Sequence, residues 1–272
     1  MNRDRFRRSP RRGAADAPVS FVCNVCGATA TVPRSELRRE QPSCPACHST
    51  VRFRSVVAAL SEALHGSSLV IDDFPPRPDL VGLGMSDWTG YADRLPRVLG
   101  YDNTFYDEGI RLDITADVPH ALAGSCDFVV SSDVLEHVAP PFSRALVHLR
   151  QLLKPGGVLV LTVPMLPDGT TVEHFPDLDR YEIAALGDRR VLVNRTRDGE
   201  LQVFDDLVFH GGPGVTLEMR ICSLPDVLAG LRQAGFVDVR PFERPIPEHG
   251  IVWDSPEWPI VARAPGTVAA AP

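Results

Sequence analysis

"CDFVVSSDVLEHVAPPFSRALVHLRQLLKPGGVLVLTVP", residues 126–164, decides how the chain is read. It opens on a continuous apolar run ending in a polar cluster, Asp133, Glu136 and His137. An amphipathic segment follows, stopped by Gly156 and Gly157, and then a second apolar run, "VLVLTVP". Apolar runs without alternation predict strands of a parallel sheet covered on both faces, with the amphipathic segment as the helical crossover. Ligands of such sheets bind outside the carboxyl ends of the strands, which places the polar cluster at the working edge.

Upstream, "DLVGLGMSDWTGYADRL", residues 79–95, reads as a strand running into Gly82 and Gly84, then a polar turn and a short helix. "DNTFYD" predicts the next strand. Downstream, "SLPDVLAGLRQAGFVDVRPFE" predicts a helix capped by Ser223, apolar through Leu224, Val227, Leu228 and Leu231, and stopped at Gly235. "VDVRPF" and "WPIVARA" predict the last strands. The fold class is therefore α/β: a Rossmann-like, doubly wound and mostly parallel sheet of about seven strands.

In this order, the "LEH" turn, the helix ending in "LKPGG" and the strand ending near Pro resemble class I S-adenosylmethionine-dependent methyltransferases. The resemblance spans residues 79–164 well and 215–263 loosely. It implies a sheet whose final two strands are antiparallel, and S-adenosylmethionine as methyl donor. On the family pattern Gly82 and Gly84 match the first two glycines of the cofactor loop, bare so that backbone can approach the donor. Ser86 stands at the third glycine, Leu80 where an acid usually precedes the loop, and Asp87 is the candidate for the donor's ammonium. The resemblance further implies Asp107 as the ribose acid, Asp113 and Ile114 at the adenine, and Asp133 along the cofactor. The short stretch to "RLDIT" predicts loss of the helix between the second and third strands. For Asp113 a helix cap is the rival reading.

A carboxylate beside an imidazole can orient it and raise its basicity, so His137 is a candidate base, or else only lines the cofactor. Residues 165–214 exceed the minimal fold; "RRVLVNRTRDGELQVFDDLVF" predicts a β-hairpin around "RDG", read as a cap over the cleft. His174 and His210 flank it as further acid/base candidates or as surface residues.

At the front, Cys23 and Cys26 are repeated in spacing by Cys44 and Cys47. Two such knuckles suit a closed tetrahedral zinc site, structural rather than catalytic. Disulfides are the alternative, and His48 reads as a neighbour rather than a ligand. Cys126 and Cys222 read as core residues. "VRFRSVVAALSEALHG" predicts a helix ending at Gly66 that joins the ribbon to the main domain.

These boundaries give a disordered basic tail over 1–18, a zinc ribbon over 19–52, a methyltransferase domain over 53–264 with its cap, and a disordered tail over 265–272. Residues 1–60 carry 11 Arg against 4 Asp or Glu, and the remainder 17 basic against 31 acidic. The acidic body argues against a broad phosphate-backbone footprint, while the basic front keeps nucleic acid open as a lesser partner. The longest apolar run, "GGVLVLTVPML", is too short to cross a membrane, and no secretory pattern precedes it, so a cytoplasmic protein is expected. The favoured reading is methylation of a small molecule, a sugar or secondary metabolite, at oxygen or nitrogen. The sulfonium is an activated leaving group, so the transfer itself calls for no metal. The rivals are RNA methylation with the ribbon as substrate binder, and a non-catalytic zinc-ribbon adaptor. Oligomeric state is not legible.

Overall fold

The computed structural model describes residues 16–210, 216–253 and 257–266. The tails expected at 1–18 and 265–272 lie mostly outside the described residues, as does the Gly-Gly-Pro-Gly turn after His210. The chain opens on a hairpin, β1 (Pro18–Val22) and β2 (Thr29–Pro33), followed by helix α1 (Val51–His65). Thr50 caps α1 by accepting the Phe53 amide, and Gly66, left-handed at φ 78°, ends it. Then come β3 (Arg77–Met85), α2 (Thr89–Ala92), β4 (Leu99–Thr104), β5 (Cys126–Ser132), α3 (Ser143–Leu152) and β6 (Leu153–Thr162). The insertion contains β7 (Met165–Leu166), β8 (Val172–Glu173), β9 (Arg180–Leu186), β10 (Arg189–Arg195), β11 (Leu201–Phe204) and β12 (Phe209–His210), and β13 (Thr216–Leu217) and β14 (Arg220–Ser223) follow it. Helix α4 (Leu224–Gln233), capped by Ser223, and strands β15 (Val237–Pro241) and β16 (Ile260–Arg263) close the domain.

The main sheet runs β15-β16-β6-β5-β3-β4, with β3, β4, β5 and β6 parallel and β16 antiparallel to both its neighbours. Among the described residues it has six strands, against the expected seven or so. Between Thr104 and Ile114 no further strand forms; one isolated parallel bridge joins Phe105 to Arg111. The helix expected to be missing there is indeed missing among the described residues. The insertion is larger than a hairpin: β9, β10 and β11 form a three-stranded antiparallel sheet, none of whose residues lines the cleft at the carboxyl ends of β3 and β5.

Both faces of the sheet are covered, which is why its strands read as unbroken apolar runs. Phe128, Val130, Val158 and Val160 face one core, shared with Phe21, Val25 and Leu37 of the ribbon and Val56, Val57 and Leu60 of α1. Val129, Leu159 and Leu161 face the other, with Leu146, Leu149 and Leu152 of α3 and Val227 and Leu231 of α4. The cysteine module thus shares a core with the sheet. Its hairpin is seated by the His249 ring against the Val22 carbonyl and by Phe21 under Gly250.

Packing also accounts for the two loop glycines. A Cβ on Gly82 would lie 2.2 Å from the Phe128 ring, and one on Gly84 would lie 1.9 Å from Tyr101 Oη and 2.3 Å from Asp87 Oδ2. The bare backbone expected to welcome a cofactor is here required by neighbouring side chains. Gly82→Ala should therefore cost about 3 kcal/mol through overpacking around Phe128, read as a lowered urea midpoint. An unchanged midpoint would show that this ring has room to move.

Candidate functional site

At the carboxyl ends of β3 and β5 lies a cleft of about 440 Å³, lined by Arg52, Phe53, Ser86, Trp88, Ser132, Asp133, His210 and Thr216. Its place is the one doubly wound topology predicts, and its volume is in the range of small-molecule sites. Trp88 lines the cleft rather than filling it. Its ring stacks on Phe53 at 4.4 Å, so an aromatic wall from two parts of the chain closes one side. Ser86, at the family's third glycine, adopts φ 54°, the left-handed region a glycine takes at little cost.

The wall opposite the loop is held by the ribbon. Arg39 makes a two-pronged contact to Asp133, with Nη2–Oδ1 at 2.6 Å and Nη1–Oδ2 at 2.9 Å. Thr162 Oγ1 donates to the same carboxylate at 2.9 Å, and Arg52 donates to Ser132 Oγ at 2.7 Å and to Glu40. Burial pushes the Asp133 carboxyl up, but Arg39, Arg52 and Thr162 outweigh it and hold it below the usual range. Asp133, expected along the cofactor, borders the cleft while fully engaged by arginines. Nothing in the sequence pairs residues 39 and 133.

The other expected donor contacts fall out differently. Asp87 is buried beneath the loop, its Oδ2 accepting from Tyr101 Oη at 2.7 Å and its backbone tied to Asn103; it is absent from the cleft lining. Asp107 is exposed, three residues beyond the end of β4, and Ile114 is a core residue. Asp113 accepts from the Thr115 amide and hydroxyl within a turn; no helix begins there among the described residues, so the structure shows neither the helix cap nor a place in the cleft lining. None of Asp107, Asp113 and Ile114 lines the cleft.

The three candidate histidines are brought together. The Met219 amide donates to the Glu136 carbonyl and Arg220 to the Leu135 carbonyl, stitching the 135–137 turn to the β13–β14 segment. The β12–β13 pairing sets His210 opposite Thr216. His137 and His210 then meet edge to face at 4.8 Å, and Glu218 joins His210 (3.0 Å) to His174 (2.7 Å). Glu218 carries no signal in sequence. Burial lowers the His137 pKa, the Leu217 carbonyl opposing and His210 reinforcing it; burial, with Asp133 nearby, pushes the Glu136 carboxyl up to about 8.

The four ribbon cysteines converge. Cys23 and Cys47 sulfurs lie 3.7 Å apart and those of Cys26 and Cys44 3.8 Å apart, and all six cysteines are free thiols. Four sulfurs at the usual zinc distance of about 2.3 Å would form a tetrahedron of edge about 3.8 Å, so the quartet fits that ion. Arg54, fully buried, donates to Ser43, Ser49 and Gly250 and lies close enough to feel all four thiols. His48 is exposed, and Cys126 and Cys222 are buried.

Residues 82–197 match the family model described as a methyltransferase domain. No curated protein matches the sequence. Among solved structures, the CurJ carbon methyltransferase is 15% identical with a TM-score of 0.47, over 80% of this chain and 56% of that one, so this chain spans little more than half of its length. The 1,6-didemethyltoxoflavin-N1-methyltransferase of Burkholderia thailandensis is 16% identical (TM-score 0.41), over 77% and 76% of the two chains. CalS10, an amino pentose methyltransferase from Micromonospora echinaspora, is 17% identical (TM-score 0.42), over 79% and 93%. No helix among the described residues is long and apolar enough to cross a membrane.

Asp87 supplies a test of the loop's buried anchor. Burial raises its folded-state pKa to about 7, against the Tyr101 hydrogen bond that lowers it, so the folded chain holds a proton the unfolded chain has released. Stability should fall as pH rises from about 4 to 7, by up to about 1.4 kcal/mol per unit for one proton. Asp87→Asn should reduce that slope in urea titrations by its own share, with that of Glu136 remaining; an unaltered slope would place the proton elsewhere.

Proposed function

We propose that this chain, which carries a methyltransferase domain over residues 82–197, transfers a methyl group from S-adenosylmethionine to a small molecule bound in the cleft. The observation that carries the reading is the cleft itself, open at the carboxyl ends of β3 and β5 within the matched segment. Ser86, Ser132, Arg52 and the Trp88–Phe53 wall would hold the donor, whose sulfonium supplies an activated methyl. The chain's part is then alignment, which can contribute on the order of 7–11 kcal/mol to such a displacement.

His210 and Thr216 line the opposite side, with His137 behind His210 and His174 held through Glu218. This is the acceptor pole. His137 Nδ1 faces the Leu217 carbonyl at 2.8 Å and donates its proton there, so the lone pair sits on Nε2, on the side of Glu136 and His210. Lone pairs on neutral imidazoles lower the cost of removing the acceptor's proton when a hydroxyl or amine attacks. The acceptor is a sugar or a secondary metabolite: the cleft is of small-molecule size, and the chain beyond residue 60 is acidic overall, which disfavours a phosphate-backbone substrate. The four cysteines hold a structural zinc that keeps those arginines in place.

Supplied with labelled S-adenosylmethionine and a panel of hydroxylated and amino small molecules, the purified chain should label an acceptor. His210→Ala and His137→Ala should each lower kcat/KM by about 10²–10³-fold while leaving donor affinity intact. Equal turnover in both variants would remove the histidines from the reaction.

A further inference from the structure

The acceptor pole contains a second arrangement. Glu136, His137 and His210 each offer one ligand atom, and the three atoms lie within 4.8 Å of one another. The Glu136 side chain is 1% exposed and neither of its carboxylate oxygens has a hydrogen-bond partner among the described residues. A carboxyl so deeply buried without partners is costly, and a bound cation would offset that cost.

The imidazoles are arranged for the same purpose. His137 Nδ1–H is donated to the Leu217 carbonyl, and the remaining nitrogen, Nε2, lies 3.6 Å from Glu136 Oε1. His210 Nε2 lies 3.0 Å from Glu218 Oε2, which leaves the ring's other nitrogen for a ligand role. His174 Nε2, 2.7 Å from the second oxygen of Glu218, holds that carboxylate in position. Metal-ligating histidines have this pattern: one nitrogen for the ion, the other tied to a carboxylate or a carbonyl that fixes the ring.

We propose that Glu136, His137 and His210 bind a divalent first-row transition cation on the acceptor side of the cleft. Two imidazoles and one carboxylate suit zinc and its neighbours, and three protein ligands leave coordination positions open. His210 lines the cleft, so an open position is within reach of a bound oxygen-bearing acceptor; with the ion bound, the imidazole lone pairs are taken up by it, and the ion rather than a free histidine eases loss of the acceptor's proton. That last role rests on the methyl-transfer reading above; the cation site does not. The site is separate from the cysteine quartet and differs from it in donor chemistry, nitrogen and oxygen against sulfur.

Equilibrium dialysis of the full chain against Zn²⁺, followed by metal analysis, should give two equivalents per chain. His210→Ala and the near-isosteric Glu136→Gln should each give one. With Co²⁺ as probe, the thiolate charge-transfer bands of the cysteine site should persist in both variants, which reports that the ribbon is still folded. One equivalent in the parent chain, or two in both variants, overturns the inference. Binding of S-adenosylhomocysteine by the same samples separates the two readings. One equivalent with donor-product binding overturns the cation site and leaves methyl transfer standing. Two equivalents without it support the cation site and overturn methyl transfer.

Discussion

The forked contact of Arg39 on Asp133 is the constraint from which the cleft takes its shape. Asp133 directly follows β5 at φ 54°, and Arg39 reaches its carboxylate from the loop between the cysteine knuckles. Both side chains are largely buried, at 10% and 17% exposure, so pairing must compensate for lost hydration. The two-pronged geometry, Thr162 on Oδ1 and Arg52 at 3.3 Å supply that compensation. Removing Arg39 would leave Asp133 to Thr162 and Arg52, and removing Asp133 would leave Arg39 to Glu40 and Glu257, in each case without the forked contact. The ribbon is therefore coupled to the sheet's working edge.

This coupling makes the small module a wall of the site. A hairpin and two cysteine knuckles bury little by themselves, and docking onto the sheet adds buried core. Phe21, Val25 and Leu37 join a core that continues through α1 to Phe128 and Val160. The Cys23–Cys47 quartet sets the Arg39 loop, and Arg54 ties it to Gly250. On the far side, β12 to β14 are stitched to the 135–137 turn, so the cleft lies between two elements anchored to the same strand end.

Much of this was legible because it follows from local periodicity and spacing. The unbroken runs around Val129 and Leu159 marked strands buried on both faces; Ser223 and Gly235 marked the ends of α4; paired CxxC knuckles marked the quartet. What was not legible depends on contacts distant in sequence. Arg39 lies 94 residues from Asp133, and Glu218 lies 44 from His174, with no pattern linking either pair. The glycines illustrate a subtler failure. The family pattern leaves both positions bare for a cofactor, whereas the neighbours that exclude a side chain are Phe128, Tyr101 and Asp87, which only packing reveals. Counting along the chain puts Asp107 at a strand end, but the strand stops at Thr104.

Catalytic competence thus turns on whether the hollow between Ser86 and Ser132 receives a nucleoside sulfonium. Calorimetric titration of the metal-loaded full chain with S-adenosylhomocysteine tests this directly. One saturable site per chain, abolished when Ser132→Trp fills the hollow while α-helical circular dichroism is retained, is the predicted result. A flat titration of the folded parent chain would contradict it and leave a cysteine-stapled scaffold without a donor site.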